Sequence, residues 1–171
     1  MTFKPMTYLV SFTLFVMLFM GLGGYVGYNK IADHLLAQGF LEATPMDVHA
    51  LVDPRGQVLR WEGKVPLPGG LAASIMASNR PLPISIQYSD EGGGATAQPS
   101  PGAKGIPLAP NERTEDLRID KTGRYLYARV FATSDIKAKE TTWLYKYDLQ
   151  RRKLVRRTSA SPIMLPAPFR P

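Results

Sequence analysis

The sequence predicts a single-pass transmembrane α-helix followed by a small, mainly antiparallel β domain (β-rich α+β) with long Pro/Gly-rich loops. Three observations predict it. No charge lies between Lys4 and Lys30, and the 21 residues from Tyr8 to Tyr28 within that gap are largely apolar. As a helix they would rise about 30 Å, the thickness of a bilayer's hydrocarbon core. In the second half, aromatic and β-branched residues recur in strand-like runs. Glycine and proline number 15 each and cluster between such runs.

The chain divides into a short N-terminal segment 1–7, a transmembrane helix 8–28, a juxtamembrane helical extension 29–41, and an extramembrane β domain 47–171. Within the helix, Tyr8, Phe12, Phe15 and Phe19 fall at spacings of 4, 3 and 4 and form one aromatic face. Gly21, Gly23, Gly24 and Gly27 crowd the following turns, a composition that lets two helices approach closely. In the extension, Ile31, Leu35 and Leu36 share a face, Gly39 offers a stop, and Phe40 and Leu41 return apolar surface to the membrane interface. Lys4 precedes the apolar stretch, whereas Lys30 is followed by Asp33, Glu42 and Asp47. Counting bases near the helix ends favours a cytoplasmic N-terminus and a periplasmic C-terminal domain in a bacterial inner membrane.

Val48 to Val52, the Asp53-Pro54-Arg55-Gly56 turn and Val58 to Trp61 read as a hairpin with Trp61 as its core residue. Pro66 to Gly70 breaks the strand. Leu71 to Ser78 reads as a short helix presenting Leu71, Ile75 and Met76. Ile84, Ile86 and Tyr88 alternate as a strand. Loop 90–110 is glycine- and proline-rich and cannot build a core. Strands then follow over 117–120, 125–132, 141–149 and 154–157, a four-stranded meander. Tail 159–171 holds Ile163, Met164, Leu165 and Phe169 among four prolines, suited to lying as an extended strap on another protein.

The segments Asp120-Lys-Thr-Gly-Arg-Tyr-Leu-Tyr-Ala128 and Trp143-Leu-Tyr-Lys-Tyr-Asp-Leu-Gln-Arg-Arg-Lys-Leu-Val155 resemble one blade of a β-propeller, over residues 117–157. The resemblance implies blade-like strand order and no functional residue. Without an internal repeat, no propeller can close.

The composition excludes several chemistries. There is no cysteine, hence no disulfide, thiol or iron–sulfur chemistry. With only His34 and His49, a multi-histidine metal site is not expected. Asp116, Asp120, Glu140 and Asp148 are scattered as turn or surface residues, and no nucleophile–base–acid set is visible. No catalytic residue and no cofactor are expected. The net charge of +7 suits an acidic protein or anionic head groups. Lys146, Arg151, Arg152, Lys153, Arg156 and Arg157 form the densest basic run and the expected contact. Nucleic acid is not expected for a domain outside the cytoplasm.

These features predict a non-catalytic accessory subunit of a larger membrane complex, first of all a respiratory or photosynthetic one. Its partners would be other membrane protein subunits and the lipid bilayer. The alternative is a membrane-tethered envelope binding module, a sensor or secretion component, for a peptide, glycan or lipid. A concave apolar pocket with convergent polar groups would favour the alternative.

Overall fold

The computed structural model describes residues 5–46, 51–52, 58–90, 105–134 and 139–160. It describes side chains at these positions except 5–12, 15–16, 18–20, 22, 51–52, 58–59, 134 and 139–140. The chain divides into two units, 1–35 and 36–171.

One helix, α1 (Pro5–Glu42), runs for 38 residues. Among the described residues no helix is long and apolar enough to cross a membrane. The expected transmembrane helix over 8–28 is corrected on that finding, and with it the inner-membrane location with a periplasmic domain. The helix does not stop where the apolar stretch stops. Asn29, Lys30, Asp33, His34, Gln38 and Glu42 belong to the same element, and glycines and tyrosines take many of the described positions before them. The aromatic face of Tyr8, Phe12, Phe15 and Phe19 lies outside the described side chains.

The rest is β structure in two antiparallel sheets with this one helix, rather than a membrane helix and a β domain. The first sheet runs in the order β1-β6-β7-β8-β9, with β1 Thr44–Pro45, β6 Glu112–Ile119, β7 Tyr125–Ser134, β8 Lys139–Asp148 and β9 Lys153–Ala160. The second runs β2-β3-β4-β5, with β2 Leu51–Val52, β3 Val58–Leu67, β4 Leu71–Ser78 and β5 Ser85–Asp90. Strands β6 to β9 are consecutive neighbours, the meander expected from the aromatic runs.

Leu71 to Ser78 is a strand, not a helix. Leu71 and Ile75 are four residues apart, a spacing that serves a helix face and a strand face equally. The two flanking strands decide: β4 pairs with β3 through Trp61↔Ala77 and Leu67↔Leu71, and with β5 through Ile75↔Ile86. Ala73, Ile75 and Ala77 are buried, and Met76 turns to the other face. Pro66 stays inside β3, and the chain reverses at Gly69 and Gly70, both at positive φ.

One core lies between the sheets. Trp61, Val65, Leu67, Ile75 and Ile86 come from the second sheet, and Leu117, Leu126, Val130, Tyr145 and Tyr147 from the first. The end of loop 90–110 joins it, because Ile106 is fully buried and bridges Ile84. Most of that loop, and the tail residues Ile163, Met164, Leu165 and Phe169, lie outside the described residues, while Ser159 and Ala160 belong to β9 rather than the tail.

On the other side of the first sheet, Leu36, Ala37 and Phe40 of α1 pack with Ala43, Tyr127 and Leu144. Gly39 continues the helix instead of ending it. A Cβ there would sit 2.5 Å from the Tyr127 hydroxyl, so only glycine admits that ring. Phe40 is fully buried against the sheet, which places it away from any interface role and contributes about 2–3 kcal/mol through removal from water. Arg118 stacks 4.3 Å from the Phe40 ring, donates to the Phe40 carbonyl at 3.4 Å, and is held by Asp116 at 3.1 Å. That carbonyl lies in the last turn of the helix, where carbonyls lack intrahelical donors and a cation is favoured.

Candidate functional site

The hairpin β8–β9 carries the basic run, and its geometry separates the six bases instead of pooling them. Cross-strand partners share a face. Lys146 and Arg156 are paired in register, as are Tyr145 and Arg157 one residue along. Lys146 therefore lies on the helix-facing side, with its ammonium 4.1 Å from the Tyr125 ring. Arg157 lies on the core-facing side.

Arg157 is neutralised there. It ion-pairs with Glu112, and its guanidinium stacks 4.0 Å from the Trp143 ring. Glu112 is buried and also accepts hydrogen bonds from the Tyr145 hydroxyl at 3.1 Å and the Ala109 amide at 2.9 Å. Burial, followed by the Glu112 charge, pushes the Tyr145 hydroxyl up to about 12.

A second buried carboxylate organises the turn. Asp148 is 1% exposed. It accepts from Arg124 Nη2 at 3.0 Å and from the Arg151 amide at 2.9 Å, with Arg151 Nε at 3.9 Å. Burial works to raise its pKa, but the Arg151 amide and the Arg124 guanidinium outweigh burial and hold it below the ordinary carboxylate range. Glu112, Asp116 and Asp148 are thus buried ion-pair acids; Asp116 departs from the turn or surface role expected of it, while Asp148 keeps a turn role but is buried. Asp120 does serve a turn: its carboxylate accepts the Tyr125 amide at 2.6 Å.

The turn after Asp148 ends at Arg152 with φ of 53°, the left-handed region. The equivalent corner of the β6–β7 hairpin uses Gly123 at φ 70°, the residue that adopts this conformation without steric cost. An arginine there costs roughly 1 kcal/mol more. Its side chain lies across β5, with the guanidinium 4.2 Å from the Tyr88 ring. Beside it opens a cleft of about 190 Å³ lined by Leu67, Pro68, Leu71, Tyr88, Leu149, Gln150 and Arg152. The Tyr88 hydroxyl is buried beside the Tyr147 hydroxyl. Burial, then the neighbouring Tyr147, raises its pKa.

The cleft combines apolar walls with one cation at its lip. Among the described residues Arg152 has no carboxylate partner, unlike Arg118, Arg124 and Arg157. A pocket this small is below the usual range for drug-sized ligands and matches one side chain or ring. It can seat an apolar group and leave an attached anion on the guanidinium. Among the described residues, no three His, Asp or Glu side chains gather as a metal-binding group.

Of the other expected site residues, Gly21, Gly23, Gly24 and Gly27 face open space, since a Cβ at any of them would meet nothing within 4 Å. Arg151, Arg152 and Lys153 share the turn region, with Arg151 turned to Asp148. Sequence reading placed Arg152 in a basic run but missed Tyr88 and the Leu67–Leu71 wall, which come from the other sheet. The doubled glycine at 69–70 was the available signal for that wall, as a hairpin turn. In comparisons with protein-family models, curated proteins and solved structures, the chain matches none.

Proposed function

We propose that the protein is a non-catalytic binding module whose cleft takes an apolar anchor residue of a partner protein together with an adjacent carboxylate. The observation that carries this reading is Arg152, placed in a left-handed turn over Tyr88 beside apolar walls, with no acid of the described chain on it. The cleft volume favours a single residue over a longer lipid chain. Its largely aliphatic walls favour a peptide over a glycan, which needs many polar partners. The neighbouring acids support a non-catalytic role, because Glu112, Asp116 and Asp148 are each held by an arginine.

N-acetyl-leucine reproduces such an anchor, and N-acetyl-leucinamide removes its charge. Titration followed by NMR is expected to move signals of Leu67, Leu71, Tyr88 and Leu149 with the acid at about millimolar affinity, as a dozen heavy atoms allow. The amide should bind at least tenfold more weakly. Equal affinity for acid and amide, or shifts elsewhere only, would sink the assignment.

A second reading, an accessory subunit of a larger protein assembly, draws on α1. Tyr25, Val26, Tyr28, Ile31 and Leu35 are each more than half exposed, and the four glycines beside them are open. Such a surface suits a neighbouring helix. Co-purification of the native protein with a stoichiometric set of other chains would support it, and migration as a lone monomer would not.

A further inference from the structure

β9 is an edge strand. It is paired with β8 on one side, and among the described residues no strand lies on the other. The opposite edge of the same sheet, β1, is only two residues long and contains Pro45. In the second sheet, edge strand β2 is also two residues, and β5 is continued by the Ile84–Ile106 bridge. β9 is longer, at eight residues, and contains no proline. Eight residues extend about 26 Å, enough for a run of ladder hydrogen bonds with an added strand.

Edge strands are usually blunted by shortness, proline, charge or a bulge. β9 is neither short nor interrupted by proline, and the devices it does use, a bulge and basic side chains, discourage another basic strand but not an acidic one. A bulge opposite Lys146 and Tyr147 leaves Val155 49% exposed, and Leu154 beside it is 40% exposed. Its charged residues are all basic: Lys153 and Arg156 lie in the strand beside Arg157, whose charge Glu112 takes up, and in the turn before it Arg151 faces Asp148 and Arg152 lies over Tyr88. No Asp or Glu follows Asp148 in the sequence. Antiparallel pairing of this edge with a second copy would set base against base, and the chain's own tail brings four prolines and no acid.

We infer that β9 accepts an extended, acidic segment of a partner protein as a sixth strand of the sheet. Main-chain hydrogen bonds hold the segment. Leu154 and Val155 give it apolar contact, and Lys153, in a strand and turn that hold no acid of their own, favours carboxylate side chains beside it. This inference does not depend on the cleft.

The test uses the full chain and three labelled octapeptides: capped (Glu-Val)4, capped (Lys-Val)4, and (Glu-Val)4 methylated at every backbone nitrogen, which leaves neither edge able to donate. Fluorescence anisotropy is expected to show the acidic peptide binding, the methylated one at least tenfold weaker, and the basic one not at all. Hydrogen exchange of the 153–160 amides that point away from β8 should slow only with the first. Lys153→Glu with Arg156→Glu should reverse the preference between the two charged peptides. Equal binding of the methylated peptide would reduce the effect to charge attraction and overturn strand addition. Absence of binding would overturn it too. So would protection, in the free chain, of those 153–160 amides that point away from β8, since the protein would then cover its own edge.

Discussion

Arg157 and Arg152 lie on one hairpin and stack on aromatic rings at nearly the same distance, 4.0 Å from Trp143 and 4.2 Å from Tyr88. Their surroundings differ. Arg157 meets Glu112, which is 3% exposed and reaches it across 45 residues of sequence. Arg152 meets a ring and a cleft. The first arginine closes the fold, tying β6 to the edge strand β9. The second leaves a cation at the mouth of an apolar cleft. Residue type and ring contact do not distinguish an arginine neutralised in the fold from one left open at a cleft. The presence of a buried acid does.

Removing that acid is the strongest way to break the comparison. Glu112→Ala leaves Arg157 and the Tyr145 hydroxyl without their partner and should cost about 3 kcal/mol, read as a lower urea midpoint. Arg157→Ala strips the charge from the same pair, but its half-exposed side chain leaves Glu112 open to water, so the cost should be nearer 1–2 kcal/mol. If the two variants were equally stable to the parent, the clasp would have no energetic role.

Arg152→Gly should act in the opposite direction. It relieves the left-handed backbone and should raise stability by about 0.5–1 kcal/mol, while removing the preference for N-acetyl-leucine over its amide. Loss of stability with unchanged ligand preference would reverse the assignment of the two arginines.

The two ends of the pH scale sharpen the contrast further. Asp148 has a lowered pKa in the fold. Its contribution is therefore present above the unfolded value near 4 and is lost as pH falls through the lower folded value. Asp148→Asn should flatten the acid limb of a stability–pH curve. Tyr127 and Tyr145 are pushed up to about 12, chiefly by burial. Folding keeps them protonated, so stability is full below the unfolded value near 10 and declines as pH rises toward 12. A phenolate titration should then show part of the absorbance appearing only with loss of the β-sheet circular dichroism signal.

The meander was legible because its strands contain many aromatic and β-branched residues, because Asp120 to Gly123 carries turn chemistry, and because the polar run Gln150 to Lys153 interrupts two strand-like ones. Ile84, Ile86 and Tyr88 announced β5 by alternation. Leu71 to Ser78 was not legible, since its alanines and the Leu71–Ile75 spacing fit two periods until β3 and β5 bracket it. The first half of β6 was hidden for another reason. Glu112-Arg113-Thr114-Glu115-Asp116 reads as solvated chain, and only the arriving Arg157 and Arg118 make its acids tolerable indoors.

By itself the sequence determined some local matters: several of the turns, the aromatic and alternating runs that extend, the absence of thiol chemistry, and the sign of charge on the last hairpin. Those depend on residues within a few positions of one another. Tertiary structure decided which arginine is neutralised, which glycine admits a tyrosine ring, and that Tyr88 and Arg152 share a cleft. Each of these joins residues from separate strands or from the helix and a sheet, and the free energy of a charge or a ring depends on what surrounds it in space.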